Sequence, residues 1–184
     1  MLFESYMNDG LLWIDCETTG LKESDLLLEI AMKATDMLGN PVANAVNTII
    51  RRTPDELTIM DNDAISLHTS NGLINDCIYN GLSLNDAADK LKSYVNNAHS
   101  IFDVLYPAGC TVSFDKYHIN SELPDVLAGI QHRMVDLTSL NVLMQHLKPD
   151  DYKHAPAFRT NHRALSCISS EIKRYAWYVS MLTE

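Results

Sequence analysis

The pattern of apolar and polar positions predicts strands in the first third of the chain. Residues 11–14 form a short apolar run that ends at Asp15, as expected for a buried strand with polar residues at its C-terminal end. Residues 25–36 are ambiguous between helix and strand by period alone. The turn sequence at 39–41, followed by a run rich in Val, Ile and Thr at 42–51, favours two strands. We therefore expect a β-meander here.

The remainder of the chain has mainly helical periodicity. Ser83 is a suitable N-cap for residues 84–94, whose apolar positions recur every three or four residues. Asn71-Gly72 predicts a break in the helical region between 54 and 77. The other predicted elements are strands at 108–113 and 134–135, helices at 114–121, 140–147 and 162–181, and a polar loop at 149–158. Without a Gly-, Ser- or Pro-rich linker, this mixture predicts one α/β domain with a mixed sheet over residues 1–184.

Composition and charge narrow the kinds of partner. The chain has 184 residues, 46% of them hydrophobic, and 14 Lys and Arg against 24 Asp and Glu leave a formal net charge of −10. This balance counts against a protein that tracks a long phosphate backbone, because that mode needs stripes of Lys and Arg. It does not exclude short nucleic-acid ligands or metal-bridged phosphates. The four cysteines form no CxxC pair, and we see no leader or membrane span, so we expect a cytoplasmic protein with no membrane partner.

Asp15 and Glu17 are the first candidates for chemistry. They are two positions apart, so their side chains project from the same side of an extended strand. Two close carboxylates repel each other, and a shared proton or a bound hard cation relieves this repulsion. For an isolated D-x-E pattern, a solvated strand end is the commoner explanation. The surrounding residues must decide between the two.

Further motifs follow in an order that is informative. Residues 15–21 read D-x-E-x-T-G-L, and the later motifs are Leu57-x-x-Met60-Asp61, His68 with Asn71-Gly72-Leu73, Ser113-Phe114-Asp115 with Ile119, Arg133 with Asp136 and Thr138, and His162-Arg163-Ala164-Leu165. Together they resemble the DEDDh-type DEDD exonucleases, and most closely the oligoribonuclease branch. The resemblance covers nearly the whole chain. It implies an RNase H-like fold, a homodimer, and removal of nucleoside monophosphates from the 3′ end of very short single-stranded RNAs or dinucleotides, with two Mg²⁺ or Mn²⁺ ions.

The resemblance also implies roles for individual residues. Asp15, Glu17 and Asp115 would be metal ligands, and His162 would be the general base that takes the proton of the attacking water. The residues implied in substrate binding are Leu21 as a wedge between bases, His68, and the phosphate-binding residues Thr111, Arg133 and Thr138. Without the motif context, Leu21 is an ordinary turn leucine, Arg133 part of a surface ion pair and His162 a solvated residue at a helix start.

Two positions depart from the family pattern. Ser166-Cys167 stands where the family has paired aspartates, the second of which is its fourth acidic ligand. A neutral thiol is a poor ligand for Mg²⁺, whereas a thiolate prefers softer metals such as zinc. Glu171, one helical turn later, replaces the lost carboxylate only if it reaches the site. Asp63 stands at the position of a base-lining tryptophan, and this change removes about 1–3 kcal/mol of stacking.

Two functions therefore remain open from the sequence. One is a metal-dependent 3′→5′ exonuclease that keeps three of the four acidic ligands and the general base, with activity weakened by Cys167. The other is an inactive family member that binds short RNA or dinucleotides. A different phosphodiester substrate and a soft-metal site using Cys167 are further alternatives.

Overall fold

The computed structural model describes residues 8–182, in which three strands are followed by three helices and then by a second group of strands and helices. The strands are β1 (Asp9–Thr18), β2 (Leu27–Asp36), β3 (Val46–Ile49), β4 (Val104–Gly109) and β5 (Val135–Asp136). The helices are α1 (Asn62–Ser70), α2 (Leu73–Tyr79), α3 (Leu84–His99), α4 (Val112–Glu122), α5 (Leu137–Leu147), α6 (Pro149–His154) and α7 (Ala164–Leu182), with a 3₁₀ turn at Glu56–Ile59. The sequence prediction of no leader falls on residues 1–7, outside the described part. Between residues 8 and 182, no helix is long and apolar enough to cross a bilayer.

The five strands form one mixed sheet in the order β3-β2-β1-β4-β5. β1 pairs antiparallel with β2, and β2 pairs antiparallel with β3, which confirms the predicted meander. β4 pairs parallel with both β1 and β5. Because the C-terminal ends of parallel strands meet at the same edge of a sheet, α4, which follows β4, begins beside the end of β1.

The central strand β1 separates two hydrophobic clusters. Leu12 and Ile14 pack in a cluster with side chains of α3, whereas Leu11 and Trp13 pack in a second cluster with side chains of α7. Side chains alternate between the two faces of a strand. Asp15 and Glu17 lie two and four positions after Trp13, so their side chains are on the same face of β1 as Trp13 and project toward α7.

The first strand extends further than the apolar pattern indicates. The apolar run ends at Ile14, but β1 continues to Thr18 because its pairing with β2 persists to that residue, with Glu17 opposite Glu29. Asp15 and Glu17 therefore lie within a paired strand, where the backbone fixes their positions.

Three predictions in the second half of the chain need correction. The predicted loop at 149–158 contains α6, whose N-terminal proline, acidic first turn and basic last turn favour a short helix. α7 begins at Ala164 and not at His162, because His162 has a φ of 53°, which is incompatible with a right-handed helix. The strand predicted at 108–113 lies earlier, as β4, where it pairs with β1.

Candidate active site

The end of β1 and the first turns of α7 bring three potential metal ligands together. One donor atom from each of Asp15, Glu17 and Cys167 lies within 4.8 Å of the other two. The Cys167 thiol donates to Glu17 Oε1 over 3.9 Å. The two carboxylates are thus on the same side of the strand, as the sequence spacing predicts, and α7 presents a thiol to them.

Asp115 reaches the same strand end from α4. It is buried in the first turn of the helix, and its Oδ1 accepts a hydrogen bond from the Cys16 backbone N–H at 2.8 Å. Burial raises the pKa of Asp115 to about 8, and the nearby charge of Glu171 adds to the effect, while the Cys16 hydrogen bond opposes it. The negative charge of Asp115 in turn raises the pKa of Asp15.

Glu171 extends this carboxylate cluster from the second turn of α7. Only 4% of the residue is exposed, and its Oε1 accepts a hydrogen bond from the Cys110 backbone N–H at 3.1 Å. Its Oε2 is buried and has no hydrogen-bond partner among residues 8–182. The charge of Glu171 also raises the pKa values of Asp15 and Asp115. Glu171 therefore lies within electrostatic reach of the site, although its hydrogen bond holds it against β4 and outside the three-donor group.

The clustered carboxyl groups have raised pKa values, even though the charge of Arg163 partly offsets the effect at Glu17. Burial, followed by repulsion from Asp115, raises the pKa of Asp15 well above its ordinary value. Burial, followed by repulsion from Glu29, raises the pKa of Glu17 to about 7. Asp15 Oδ2 is buried without a hydrogen-bond partner in the described part of the chain. A bound divalent cation would relieve this repulsion and provide that oxygen with a partner.

The donor types decide which cation fits. Carboxylate oxygens from Asp15, Glu17 and Asp115 suit a hard ion such as Mg²⁺ or Mn²⁺. The Cys167 thiol does not suit magnesium, and burial raises its pKa, which keeps it protonated in the free protein. The site fits a divalent cation at its carboxylates and departs from a magnesium site at Cys167.

His162 lies on the loop that leads into α7. Its backbone N–H donates to Thr160 Oγ1 at 2.9 Å, and its carbonyl accepts from Asn71 Nδ2 at 2.6 Å. These bonds hold His162 at its positive φ, which most residues avoid. His162 lines the same pocket as Glu17, so the structure places the candidate base beside one of the candidate ligands.

A buried ion pair anchors this loop to the sheet. Arg163 donates to both carboxylate oxygens of Glu29, at 2.9 and 3.0 Å, and lies 2.9 Å from Asp76. Glu29 Oε2 also accepts from the backbone N–H of Ala164 at the start of α7. Glu29 belongs to none of the sequence motifs. The sequence contains one indication of its importance. Glu29 is a charged residue within the apolar run of β2, and a charge that is buried in this way is tolerated only when it has a partner.

A pocket of 330 Å³ opens beside the carboxylates. Its lining is Cys16, Glu17, Thr18, Gly20, Leu21, Asp61, Asp63, Ala64, Leu67, His68, Phe114 and His162. Leu21 is 85% exposed, which contradicts the alternative of a turn leucine packed on the core. His68 is buried, with Nε2 3.8 Å from Glu17 Oε2, and burial lowers its pKa. Phe114 and Asp63 both line the pocket. Phe114, to which the sequence motifs gave no role, supplies the aromatic ring that Asp63 lacks.

The turn that presents Leu21 requires a glycine. A Cβ on Gly20 would lie 2.5 Å from the carboxylate oxygens of both Asp25 and Asp61. Asp25 in turn accepts a hydrogen bond from the Lys22 backbone N–H at 2.6 Å. The T-T-G-L sequence therefore folds into a turn that leaves room for Leu21 to project into solvent.

The residues expected to hold a phosphate are brought together in part. Thr111 and Thr138 begin α4 and α5, and their hydroxyl oxygens lie 3.1 Å apart. Asp136 caps α5 and accepts from the Thr111 backbone N–H at 3.4 Å. Arg133 is exposed and forms no ion pair with residues 8–182.

Comparison with known proteins gives a consistent result. No protein-family model matches the chain. It is 31% identical over 169 residues to an oligoribonuclease of Tropheryma whipplei (strain Twist), a match that covers 91% of this chain and 90% of that protein. Exonuclease I from Methylocaldum szegediense has a similar structure, with a TM-score of 0.66 at 18% identity over 95% of this chain and 41% of its own. E. coli exonuclease I in complex with a 5cy-dA13 oligonucleotide gives 0.64 at 18% identity, over 94% and 40%.

The solved structures establish the fold only, because their sequence identity is low. The chain spans about two fifths of each exonuclease I chain. The mixed five-stranded sheet with flanking helices is an RNase H-like exonuclease fold, which confirms the fold class expected from the sequence.

Proposed function

The chain belongs to the oligoribonuclease family, and from this premise we propose that it is a metal-dependent 3′→5′ exoribonuclease that degrades very short oligonucleotides to nucleoside monophosphates. One observation carries the proposal. Asp15, Glu17 and Asp115 converge at the end of β1, beside a pocket that His162 lines. Family membership supports a nuclease function, and this convergence supports hydrolysis at a phosphodiester held in the pocket.

The carboxylates are the proposed holders of Mg²⁺ or Mn²⁺. Asp15, Glu17 and Asp115 would each contribute oxygen ligands, and the unpartnered Oδ2 of Asp15 is consistent with this role. A bound divalent ion would neutralise charge on the scissile phosphodiester and acidify the attacking water. The pairing of β1 with β2 and the hydrogen bond from Cys16 to Asp115 fix the carboxylates before any ligand binds.

His162 is the proposed general base. Its ring would accept the proton of the attacking water, as histidine commonly does in hydrolysis. The bonds from Asn71 and to Thr160 hold its backbone, and the Arg163–Glu29 pair ties the loop to the sheet. The backbone that carries the proposed base is therefore restrained, and among residues 8–182 no hydrogen bond occupies its ring.

The pocket is the proposed site of the 3′-terminal nucleotide. Leu21 projects as the wedge between bases, with His68 and Phe114 on the pocket wall. Thr111, Thr138 and the exposed Arg133 would hold the 5′ phosphate of a dinucleotide, since hydroxyls and a guanidinium suit a phosphate end.

A site that binds only the two phosphates of a short oligonucleotide is compatible with a net charge of −10, because it does not bind along a long phosphate backbone. From the family resemblance we also propose a single domain, a homodimer and a cytoplasmic location.

A 5′-labelled RNA trinucleotide tests the proposal. With Mn²⁺ or Mg²⁺, wild-type protein should first release the 3′ nucleoside monophosphate and leave a labelled dinucleotide, which is then cleaved. Asp15→Asn should abolish turnover, whereas Asp89→Asn, the same change on the exposed face of α3, should leave it intact. Equal activity of wild type and Asp15→Asn would reject this site. Tight binding without turnover would identify the chain as an inactive binder of short RNA.

A further inference from the structure

Cys167 gives the site a donor that a magnesium site does not use. We propose that Asp15, Glu17 and Cys167 bind one thiophilic divalent ion of the zinc class in preference to Mg²⁺ or Mn²⁺. The inference rests on the proposed function, because it concerns the metal of the same site. It changes the metal class that the family resemblance implies.

The three donors are close enough for a single ion. Their ligand atoms lie within 4.8 Å of one another, and Cys167 Sγ lies 3.9 Å from Glu17 Oε1. Around a tetrahedral zinc ion, a sulfur ligand at about 2.3 Å and an oxygen ligand at about 2.1 Å are roughly 3.6 Å apart. Binding one ion therefore requires small movements of side chains and no rearrangement of β1 or α7.

The donor chemistry separates the two classes of ion. Zinc accepts thiolate and carboxylate ligands in one coordination sphere, whereas magnesium takes oxygen ligands and keeps several waters. A zinc-class ion also displaces the proton of a coordinating thiol, which magnesium does not do. The Asp15–Glu17–Cys167 set thus contains two donors that either class accepts and one that only the thiophilic class accepts.

Thr160 holds the sulfur in place. Its hydroxyl oxygen lies 2.9 Å from Cys167 Sγ, and the same oxygen accepts the His162 backbone N–H. Hydrogen bonds to a ligating atom orient it and tune its affinity for the metal. The loop that carries the candidate base therefore also fixes the position of the thiol.

A separate observation indicates that a cation belongs at this place. Glu171 is 4% exposed and its Oε2 has no hydrogen-bond partner among the described residues, yet its charge acts on both Asp15 and Cys167. Asp15 Oδ2 is likewise buried and unpartnered within residues 8–182. Buried carboxylate oxygens without a donor are costly unless a cation approaches them. Asp15 Oδ2 belongs to one of the three donors, and the charge of Glu171 acts on two of them, so a cation bound by the three donors would offset the charge of both carboxylates.

Cobalt is the most direct probe, because a bond between sulfur and Co²⁺ gives an intense near-ultraviolet charge-transfer band that oxygen ligands do not give. The full, reduced chain is titrated with Co²⁺ alone, without Mg²⁺ or nucleotide, and the bound Co²⁺ is then displaced with Zn²⁺. Wild type should show the band at one equivalent. Cys167→Ser should lose the band and bind Zn²⁺ about 10- to 100-fold more weakly.

Cys77→Ala is the matched control, because Cys77 is a fully buried thiol in another part of the molecule, and it should keep the band. Thermal unfolding of each variant shows that it is folded. Absence of the band in wild type, or equal Zn²⁺ affinity in Cys167→Ser, would overturn the proposal. The titration contains no nucleotide, so its result is independent of the trinucleotide assay. A positive titration together with no hydrolysis in that assay would reject only the proposed enzyme function. Hydrolysis without the band would reject only the zinc-class site.

Discussion

The two sides of the site are built differently. On the side of β1 and α4, Asp15, Glu17 and Asp115 are oxygen donors fixed by strand pairing and a backbone hydrogen bond. On the side of α7, Cys167 presents a thiol, and its neighbouring loop depends on the anchor between Arg163 and Glu29. The difference separates two properties: the carboxylate side supplies the charge that attracts a cation, and the α7 side determines which cation fits and where the base lies.

Asp115→Asn is the strongest test of the carboxylate side. Because it removes a proposed metal ligand, nuclease activity should fall by at least about 100-fold. The metal-free protein should become more stable near pH 8, since the substitution removes a buried charge while Oδ1 still accepts the Cys16 N–H. Activity assays and thermal unfolding measure the two effects. Asp89→Asn should change neither, and a variant that loses stability while keeping activity would contradict the assignment.

Glu29→Gln tests the anchor on the α7 side. Glu29 is fully buried, and removing one partner of a buried ion pair costs about 3–5 kcal/mol of unfolding free energy. Activity should fall as well, because the loop that carries His162 loses its tether to β2. Denaturant unfolding and turnover of the trinucleotide provide the measurements.

Asp76→Asn is the matched control for Glu29→Gln. It removes the other carboxylate partner of Arg163. The Asp76 side chain is 31% exposed, so the cost should stay below about 1 kcal/mol. Equal costs for the two substitutions would show that Glu29 does not anchor the loop.

The contrast between the two sides also explains what the sequence could predict. The carboxylate side follows from local rules: D-x-E on a strand places two side chains on one face, and the parallel β1–β4 pairing brings α4 to the same edge. The α7 side depends on contacts distant in sequence. Glu29 and Arg163 are 134 positions apart, and neither a period nor a spacing links them.

Backbone conformation limited the predictions in a similar way. The helical pattern from 162 onward could not show that His162 has a positive φ, because bonds to Asn71 and Thr160 impose it. Glu171 lay at the right helical spacing to approach the site, but its hydrogen bond to the Cys110 N–H was not visible in the sequence.

Cys167→Asp should convert the α7 side to the chemistry of the carboxylate side. An additional oxygen donor opposite Asp15 and Glu17 should raise Mg²⁺-supported turnover about 10-fold and remove the preference for zinc-class ions. Turnover at several Mg²⁺ concentrations measures the change, and Cys167→Ser, which restores no charge, should not reproduce it. If Cys167→Asp and Cys167→Ser had the same Mg²⁺ dependence, the thiol would not determine metal preference.

The metal-free protein should also show a pH-dependent stability. Glu17, with a pKa of about 7, and Asp115, with a pKa of about 8, both lie above their ordinary values because of burial. The folded state therefore holds protons that the unfolded state has already lost. Stability should fall as pH rises from about 4 to about 8. Thermal unfolding across this range measures the decline.

The decline should belong to the carboxylate side alone. Asp115→Asn should reduce it, because the substituted side chain does not titrate while Glu17 still does, and a bound divalent ion should flatten it by stabilising the charged carboxylates. Cys167→Ser should leave it unchanged, since burial raises the pKa of the thiol and keeps it neutral throughout this range. If Cys167→Ser abolished the decline, the thiol would be part of the titrating cluster, and the separation between a charged side and a metal-selecting side would be wrong.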